Sequence, residues 1–256
     1  MTPEKFCLQL LKNFPFEPTP SQDLWFRSIS KFIILNQPKS VFLLKGYAGT
    51  GKTTLIGSLV KQLKHAGYKA VLLAPTGRAS KVMSFYSDHS SCTIHKQIYY
   101  PKTENSGNVI FQLKPNNQNK TIFIVDEASM IGDQPKNGNL FENMSLLNDL
   151  VQYVRTGNIC KLIFVGDPVQ LPPVNLSVSP ALDSKRLKNY HFNNVFEVEL
   201  NDVIRQKNDS GILFNANQLR LHIQSDINDQ FQFDIKNLED IKSTTDGFLD
   251  VFEALE

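Results

Sequence analysis

The string Gly46-Tyr47-Ala48-Gly49-Thr50-Gly51-Lys52-Thr53 reads G-x-x-x-x-G-K-T and stands directly between the apolar run Val41-Phe42-Leu43-Leu44 and a helical pattern. No other feature restricts the fold as much, because the string works only as a loop that joins a buried strand to the first turn of a helix. Its glycines let the backbone curl so that N–H groups point inward at phosphate oxygens, and the helix adds the positive end of its dipole. Gly46, Ala48, Gly49, Thr50, Gly51, Lys52, Thr53 and Thr54 would then line a bound nucleotide. Lys52 would reach the β and γ phosphates and the Thr53 hydroxyl would ligate magnesium, so a nucleoside triphosphate and Mg²⁺ are the implied ligands. The bland alternative is a glycine-rich turn, which the strand–loop–helix context disfavours.

Apolar, β-branched runs bounded by turn residues recur at 41–45, 69–74, 121–125, 161–165 and 195–200. Such runs suit a parallel sheet buried on both faces. Leu55, Ile56, Leu59, Val60 and Leu63 form one helical stripe behind the phosphate loop, closed by His65-Ala66-Gly67. The expected fold is therefore α/β, a P-loop NTPase with a parallel sheet flanked by helices. Further helices are expected over about 3–13, from Thr19-Pro20-Ser21-Gln22 through Trp25, Phe26, Ile29, Phe32 and Ile33, and over about 139–155. Between the second and third strands, Tyr99-Tyr100-Pro101 leads through Asn105-Ser106-Gly107-Asn108 to the alternating residues 109–114. That reads as a small β-hairpin insertion within about 97–120.

The third strand ends Val125-Asp126-Glu127-Ala128-Ser129, which puts two carboxylates at the carboxyl edge of a buried strand, where open α/β sheets bind ligands. Asp126 can hold the magnesium shell and Glu127 can polarise the attacking water. The fourth strand ends Gly166-Asp167-Pro168-Val169-Gln170-Leu171-Pro172-Pro173, a stiff turn that carries an amide to the same edge. Gln170 could orient the water or sense the γ-phosphate. Read blandly, the carboxylates are a solvated strand end and Gln170 is a turn residue.

A chain of 256 residues, 41% hydrophobic and 20% charged, can bury a sizeable core. Cys7, Cys92 and Cys160 are odd in number and lack C-x-x-C spacing, so neither a disulfide framework nor a zinc site is suggested. Met1-Thr2-Pro3-Glu4-Lys5 is not a basic stretch before an apolar core, and no apolar run approaches bilayer length. A cytoplasmic protein with no membrane partner is expected. The net charge of +2 hides an asymmetry, since residues 223–256 hold nine acids and two bases while residues 1–222 hold 25 bases and 16 acids. A body of that sign attracts polyanions, although scattered lysines are more often plain solvated surface.

In order, the chain also shows A-P-T-G-R-A-S at 74–80, T-I-H-K at 93–96, I-V-D-E-A-S at 124–129, G-D-P-V-Q-L-P-P at 166–173 and V-I-R-Q at 203–206. With the phosphate loop, these strings resemble superfamily 1 DNA helicases of the RecD and Dda type over about residues 19–222. The resemblance implies a RecA-like lobe over residues 1–206 and partners in single-stranded DNA and a duplex fork, with 5′ to 3′ movement. It gives Gln22 an adenine-reading role, though Thr19-x-x-Gln22 is equally a capping box. It gives Thr76, Gly77 and Arg78 contacts to the DNA backbone, with a strand-to-helix turn as the plain alternative. Thr93 and His95 resemble the next DNA-contacting motif, where a packed histidine is as good a reading. Arg205 matches the arginine that reaches the γ-phosphate, against a strand-end ion pair. The hairpin occupies the place of a strand-separating pin, with Tyr99, Tyr100 and Phe111 available to stack at a fork or on one another.

The pattern then departs from the family. Residues 207–256 read as one helix plus an acidic segment, with no string resembling V-H-K-S-Q-G or Y-V-A-I-T-R-A. A second helicase lobe is therefore expected to be missing, and unwinding requires two lobes that open and close. The expectation is an ATP-hydrolysing helicase lobe that turns over slowly and does not unwind alone. The competing expectation is a nucleic-acid-binding module that uses ATP only as a switch.

Overall fold

Val41 and Leu43 turn to one face of strand β1 (Ser40–Gly46) and Phe42 and Leu44 to the other, and each pair joins a separate hydrophobic core. The same alternation divides Ile122 and Ile124 from Phe123 and Val125 on β6 (Thr121–Val125), and Ile163 and Val165 from Leu162 and Phe164 on β7 (Lys161–Gly166). A strand with apolar residues on both faces is stable only between two layers of helices, each fully buried Leu, Ile or Phe contributing about 1.5–3 kcal/mol. This computed structural model describes residues 1–202 except 36, 38, 104–108 and 135–144, and beyond them only 215, 218, 219, 222 and 232–234.

One six-stranded sheet carries the architecture, in the order β3-β2-β6-β7-β1-β8, where β2 is Lys69–Ala74, β3 is Ser91–Thr93 and β8 is Asn194–Leu200. Every neighbouring pair is parallel. On one face lie α1 (Pro3–Lys12), α2 (Pro20–Ile34), α3 (Lys52–Leu63) and Met83 of α4 (Gly77–Ser87). On the other lie α5 (Ile94–Ile98), α6 (Leu146–Thr156) and α7 (Ser184–Asn189). The expected α/β fold is present, with all five anticipated strands.

The insertion is a two-stranded antiparallel ribbon of β4 (Tyr99–Thr103) and β5 (Val109–Leu113), with Tyr99 opposite Leu113 and Thr103 opposite Val109. The turn residues 105–108 lie outside the described residues. Tyr99 does not face solvent: it is 6% exposed and its hydroxyl donates to Asp149 Oδ2 of α6 at 2.5 Å, so it anchors the ribbon and is not free to stack on a base pair. Phe111 also packs against the core on that face.

The helix expected over 139–155 is α6, whose first turn is Leu146 because the Ser145 hydroxyl accepts from Asn148 N and caps it; residues 139–144 lie outside the described ones. The chain divides into two compact units, Met1–Val203 and Ile204–Glu256. In the second, the Asn215 side chain brackets Asp234, donating to its carbonyl at 2.7 Å and accepting from its N–H at 2.6 Å. Of the helix expected after V-I-R-Q, residues 215, 218, 219 and 222 are described and are helical, while its other residues and most of the acidic segment lie outside the described residues.

Candidate nucleotide site and nucleic-acid edge

Beyond β1 the chain turns through Gly49 at φ +82° and Gly51 at φ +88°. This left-handed region costs a residue with a Cβ about 1–2 kcal/mol, so the two glycines are what allow the loop to close. Gly51 is the N-cap of α3, and no side chain accepts a hydrogen bond from its first turn. The other described α-helices are each capped by a side-chain oxygen, from Thr2, Thr19, Thr76, Thr93, Ser145 and Asp183. Among the described α-helices, α3 alone leaves its amino end open, and N–H donors with a positive dipole end bind anions there.

The loop's other residues fit that use. Gly46 closes β1 and Ala48 is exposed at the loop's crest, while Thr50 is fully buried and donates from Oγ1 to Tyr47 O at 2.8 Å. Lys52 folds back over the loop and donates to Gly46 O at 2.5 Å and to Tyr47 O at 2.8 Å. Thr53 is exposed and Thr54 half-buried at the start of α3. Burial pulls the Lys52 ammonium below its ordinary range, and the carboxylates of Asp167, Asp126 and Glu127 oppose that shift.

Those three carboxylates stand on neighbouring strand ends. Asp126 follows β6, donates its N–H to Leu73 O at 2.9 Å, and accepts from Glu127 N at Oδ1 over 2.9 Å. Burial raises its carboxyl above the usual range and the Glu127 carboxylate adds to the rise, while the Glu127 N–H and the Lys52 charge act against it. Glu127 adopts the left-handed conformation at φ +54°. Seven described non-glycine residues adopt this conformation, and Glu127 is the one among them that stands beside Asp126 at the nucleotide edge.

Asp167 follows β7, is 5% exposed and accepts from Val169 N at 3.0 Å, which fixes the turn. Gly166, the preceding residue, has no room for a Cβ: one would meet Leu182 Cδ1 at 2.8 Å and Ser129 N at 3.1 Å. That close approach lets the buried Ser129 donate from Oγ to Gln170 Oε1 at 2.8 Å. Gln170 itself is exposed, so Ser129 is what aims it. Asp167 and Ser129 join the candidate site by this geometry, and sequence reasoning passed over both although each lies inside a quoted string.

Gln22 is 1% exposed. Its Oε1 accepts from Thr19 N at 3.2 Å, which completes the capping box of α2, and its Nε2 donates to Thr50 O of the phosphate loop at 3.2 Å. The side chain thus belongs to the site through the loop it touches. Arg205 lies outside the described residues.

The residues read as DNA contacts gather at the ends of β2 and β3, with β2 paired directly to β6. Ala74 at the end of β2 is in register with Thr93 at the end of β3. Thr76 caps α4, accepting from Ala79 N at 3.2 Å, and Thr93 caps α5, accepting from Lys96 N at 3.2 Å. A Cβ on Gly77 would meet nothing within 4 Å, so packing does not demand the glycine and the backbone is open to approach. Arg78 is exposed, with no ion-pair partner among the described residues. His95 is half-buried beside the Tyr99 ring, centroids 5.8 Å apart.

A family profile described as AAA domain matches residues 33–230. The chain is 29% identical over 198 residues to the uncharacterized protein R530 of Acanthamoeba polyphaga mimivirus, which covers 69% of this chain and 37% of that protein. It is 30% identical over 190 residues to the ATP-dependent DNA helicase dda of Enterobacteria phage T4, over 73% of this chain and 39% of the helicase. With the ATP-dependent RecD2 DNA helicase of Deinococcus radiodurans it shares 30% identity over 133 residues, 52% of this chain and 16% of that one. The chain therefore spans well under half the length of these relatives. The crystal structure of the Pif1 helicase from Candida albicans aligns with a TM-score of 0.49 at 21% identity, over 80% of this chain and 44% of that chain.

Proposed function

Because the chain belongs to the AAA domain family and is a P-loop lobe of the superfamily 1 helicases of the RecD and Dda type, we propose that it binds ATP and hydrolyses it in response to single-stranded DNA. The observation that carries this reading is the uncapped amino end of α3 beneath a loop shaped by Gly49 and Gly51, faced by Asp126, Glu127 and Asp167. An anionic ligand supplies what every other described α-helix draws from a side chain.

The roles follow from placement. First-turn N–H groups of α3 and the Lys52 ammonium hold the phosphate chain, and Lys52 leaves its two loop carbonyls to do so. The Thr53 hydroxyl and the free oxygen of Asp126 would hold Mg²⁺, an ion that keeps several waters and shares phosphate oxygens, and it would neutralise charge on the leaving phosphate. Glu127 accepts the proton of the attacking water. Gln170, aimed by Ser129, orients that water against the γ-phosphate. Arg205 completes the charge stabilisation, a role worth ~10³ to 10⁵ in rate where an arginine fills it.

DNA is held at the β2–β3 edge by the Thr76-Gly77-Arg78 segment and by Thr93 and His95, through phosphate contacts without base specificity. The two sites meet where Asp126 N–H bonds Leu73 O, one residue before Ala74, and that contact gives DNA a short route to the catalytic carboxylates. The resemblance favours 5′ to 3′ movement for the motor to which such a lobe contributes. A lone lobe of this kind turns over slowly without unwinding, since strand separation takes two lobes that open and close. Steady-state ATP hydrolysis with and without a single-stranded oligonucleotide, with Glu127→Gln as the blank, tests the reading. Glu127→Gln should keep nucleotide binding while turnover collapses by about 10² or more. Undiminished turnover in that variant removes Glu127 as the base, and stable ATP binding with no DNA-stimulated turnover in the unaltered chain favours the switch-type binding module.

A further inference from the structure

We infer that Asp202 and Ser21 are positioning residues for nucleotide hydrolysis, which act through Gln22 as a strut from the end of β8, along the first turn of α2, to the phosphate loop. The inference rests on the ATPase reading above and extends it to residues outside the recognised strings.

The strut can be followed atom by atom. Asp202, two residues beyond Leu200 at the end of β8, accepts at Oδ2 from Ser21 N at 3.1 Å and from Ser21 Oγ at 2.7 Å. Ser21 is the second residue of α2, so the carboxylate caps a free N–H at the positive end of a 15-residue helix. The hydroxyls of Ser21 and Thr19 hold that carboxyl below the usual range, with the Ser21 N–H adding to them. One residue further, Gln22 bonds Thr19 N with its oxygen and Thr50 O with its amide nitrogen. Thr50, 0% exposed, donates to Tyr47 O, and Tyr47 O is also an acceptor for Lys52 Nζ.

Both ends of the Gln22 amide are therefore engaged inside the protein, in a residue 1% exposed. A side chain so committed transmits geometry. Its bond to Thr50 O fixes the height of the loop over α3, and Asp202 holds the helix turn that aims it. Hydrolysis depends on sub-ångström placement of the phosphates, so loosening the strut lowers the chemical step far more than it lowers nucleotide capture.

The test measures kcat with ATP and with GTP, the dissociation constant of a fluorescent ADP analogue, and melting temperature, in the whole chain and in Asp202→Ala, Ser21→Ala, Gln22→Ala, Asp202→Glu and Lys52→Ala. The strut predicts that Asp202→Ala and Gln22→Ala each lower kcat roughly tenfold or more, Asp202→Ala by the same factor for both nucleotides and with the analogue's affinity within about threefold. Ser21→Ala, which retains the backbone bond, falls between, and Asp202→Glu restores part of the loss. Lower melting temperature with unchanged kcat in Asp202→Ala overturns the inference, because the contact is then only structural. A changed ATP-to-GTP ratio in Asp202→Ala also overturns it, since Asp202 would then act on base reading and not on the placement of the loop. If Lys52→Ala hydrolyses as fast as the unaltered chain, the ATPase reading itself has failed, a result distinct from a failure of the strut.

Discussion

Ser129 and Gln170 show how a single side chain can set the usefulness of another. Gln170 is exposed and would otherwise sample several rotamers, but its oxygen accepts from a Ser129 hydroxyl that is 2% exposed and pinned beneath Gly166. Ser129→Ala deletes one bond at the rim of the site and leaves the Gln170 oxygen free to bond water, so the stability loss is small, about 1 kcal/mol or less. The expected outcome is a severalfold drop in kcat with ATP affinity and melting temperature nearly unchanged. Equal kcat would show that Gln170 needs no guide. Glu127 makes the opposite point, since its left-handed backbone at φ +54° is set by the chain entering the turn Ala128–Met130. The conformation swings the carboxylate out of the strand's alternation, and no residue count along the strand reveals it.

At the scale of elements, α2 is held at both ends. Asp202 caps its beginning, and at its end the buried Lys161 Nζ donates to the carbonyls of Phe32, Ile33 and Leu35, beside the rings of Phe32 and Tyr68. A cation there also meets the negative end of the helix dipole. Lys161→Met keeps the apolar stem but strips three carbonyls of their donor, and should cost about 1–3 kcal/mol in denaturant unfolding. Burial pushes the Lys161 pKa down to about 8, against ~10.4 for a free lysine. Between those values the unfolded chain binds more protons than the folded one, so this group makes stability rise with pH across that window, and Lys161→Met should lack the rise. Of the elements themselves, the long apolar strands and the stripe of α3 were legible because burial on both faces writes itself as continuous Val, Ile, Leu and Phe. Strand β3 and helices α4 and α5 were not, for Ser91-Cys92-Thr93 carries no apolar run and α4 buries only Ser80, Met83 and Ser87. These elements are fixed by pairing to β2 and by threonine caps, which sequence periodicity does not register. The phosphate loop and its carboxylates were legible as strings, whereas the Asp202–Ser21 contact joins residues 181 positions apart and has no local signature.

For the molecule as a whole, the sheet order puts the nucleotide residues on the ends of β1, β6 and β7 and the DNA candidates on the ends of β2 and β3, one strand pairing apart. Parallel strands make this possible, since all their carboxyl ends lie along one edge. The net charge of residues 1–222 favours a polyanionic partner: they carry 25 basic and 16 acidic side chains, a surplus of nine, and the nine acids and two bases of residues 223–256 bring the total to +2. If Arg78 and its neighbours hold DNA by its phosphates, affinity for a single-stranded oligonucleotide must fall with salt, by about 0.7 in log-log slope for each phosphate neutralised. Arg78→Ala should weaken binding similarly for every sequence and reduce that slope by about 0.7, one contact's worth, as read by fluorescence anisotropy across a salt series. An unchanged slope in Arg78→Ala would mean that Arg78 only decorates the first turn of α4. A salt-independent affinity in the unaltered chain would mean that the basic surplus is solvated surface and that the β2–β3 edge is not where a nucleic acid binds.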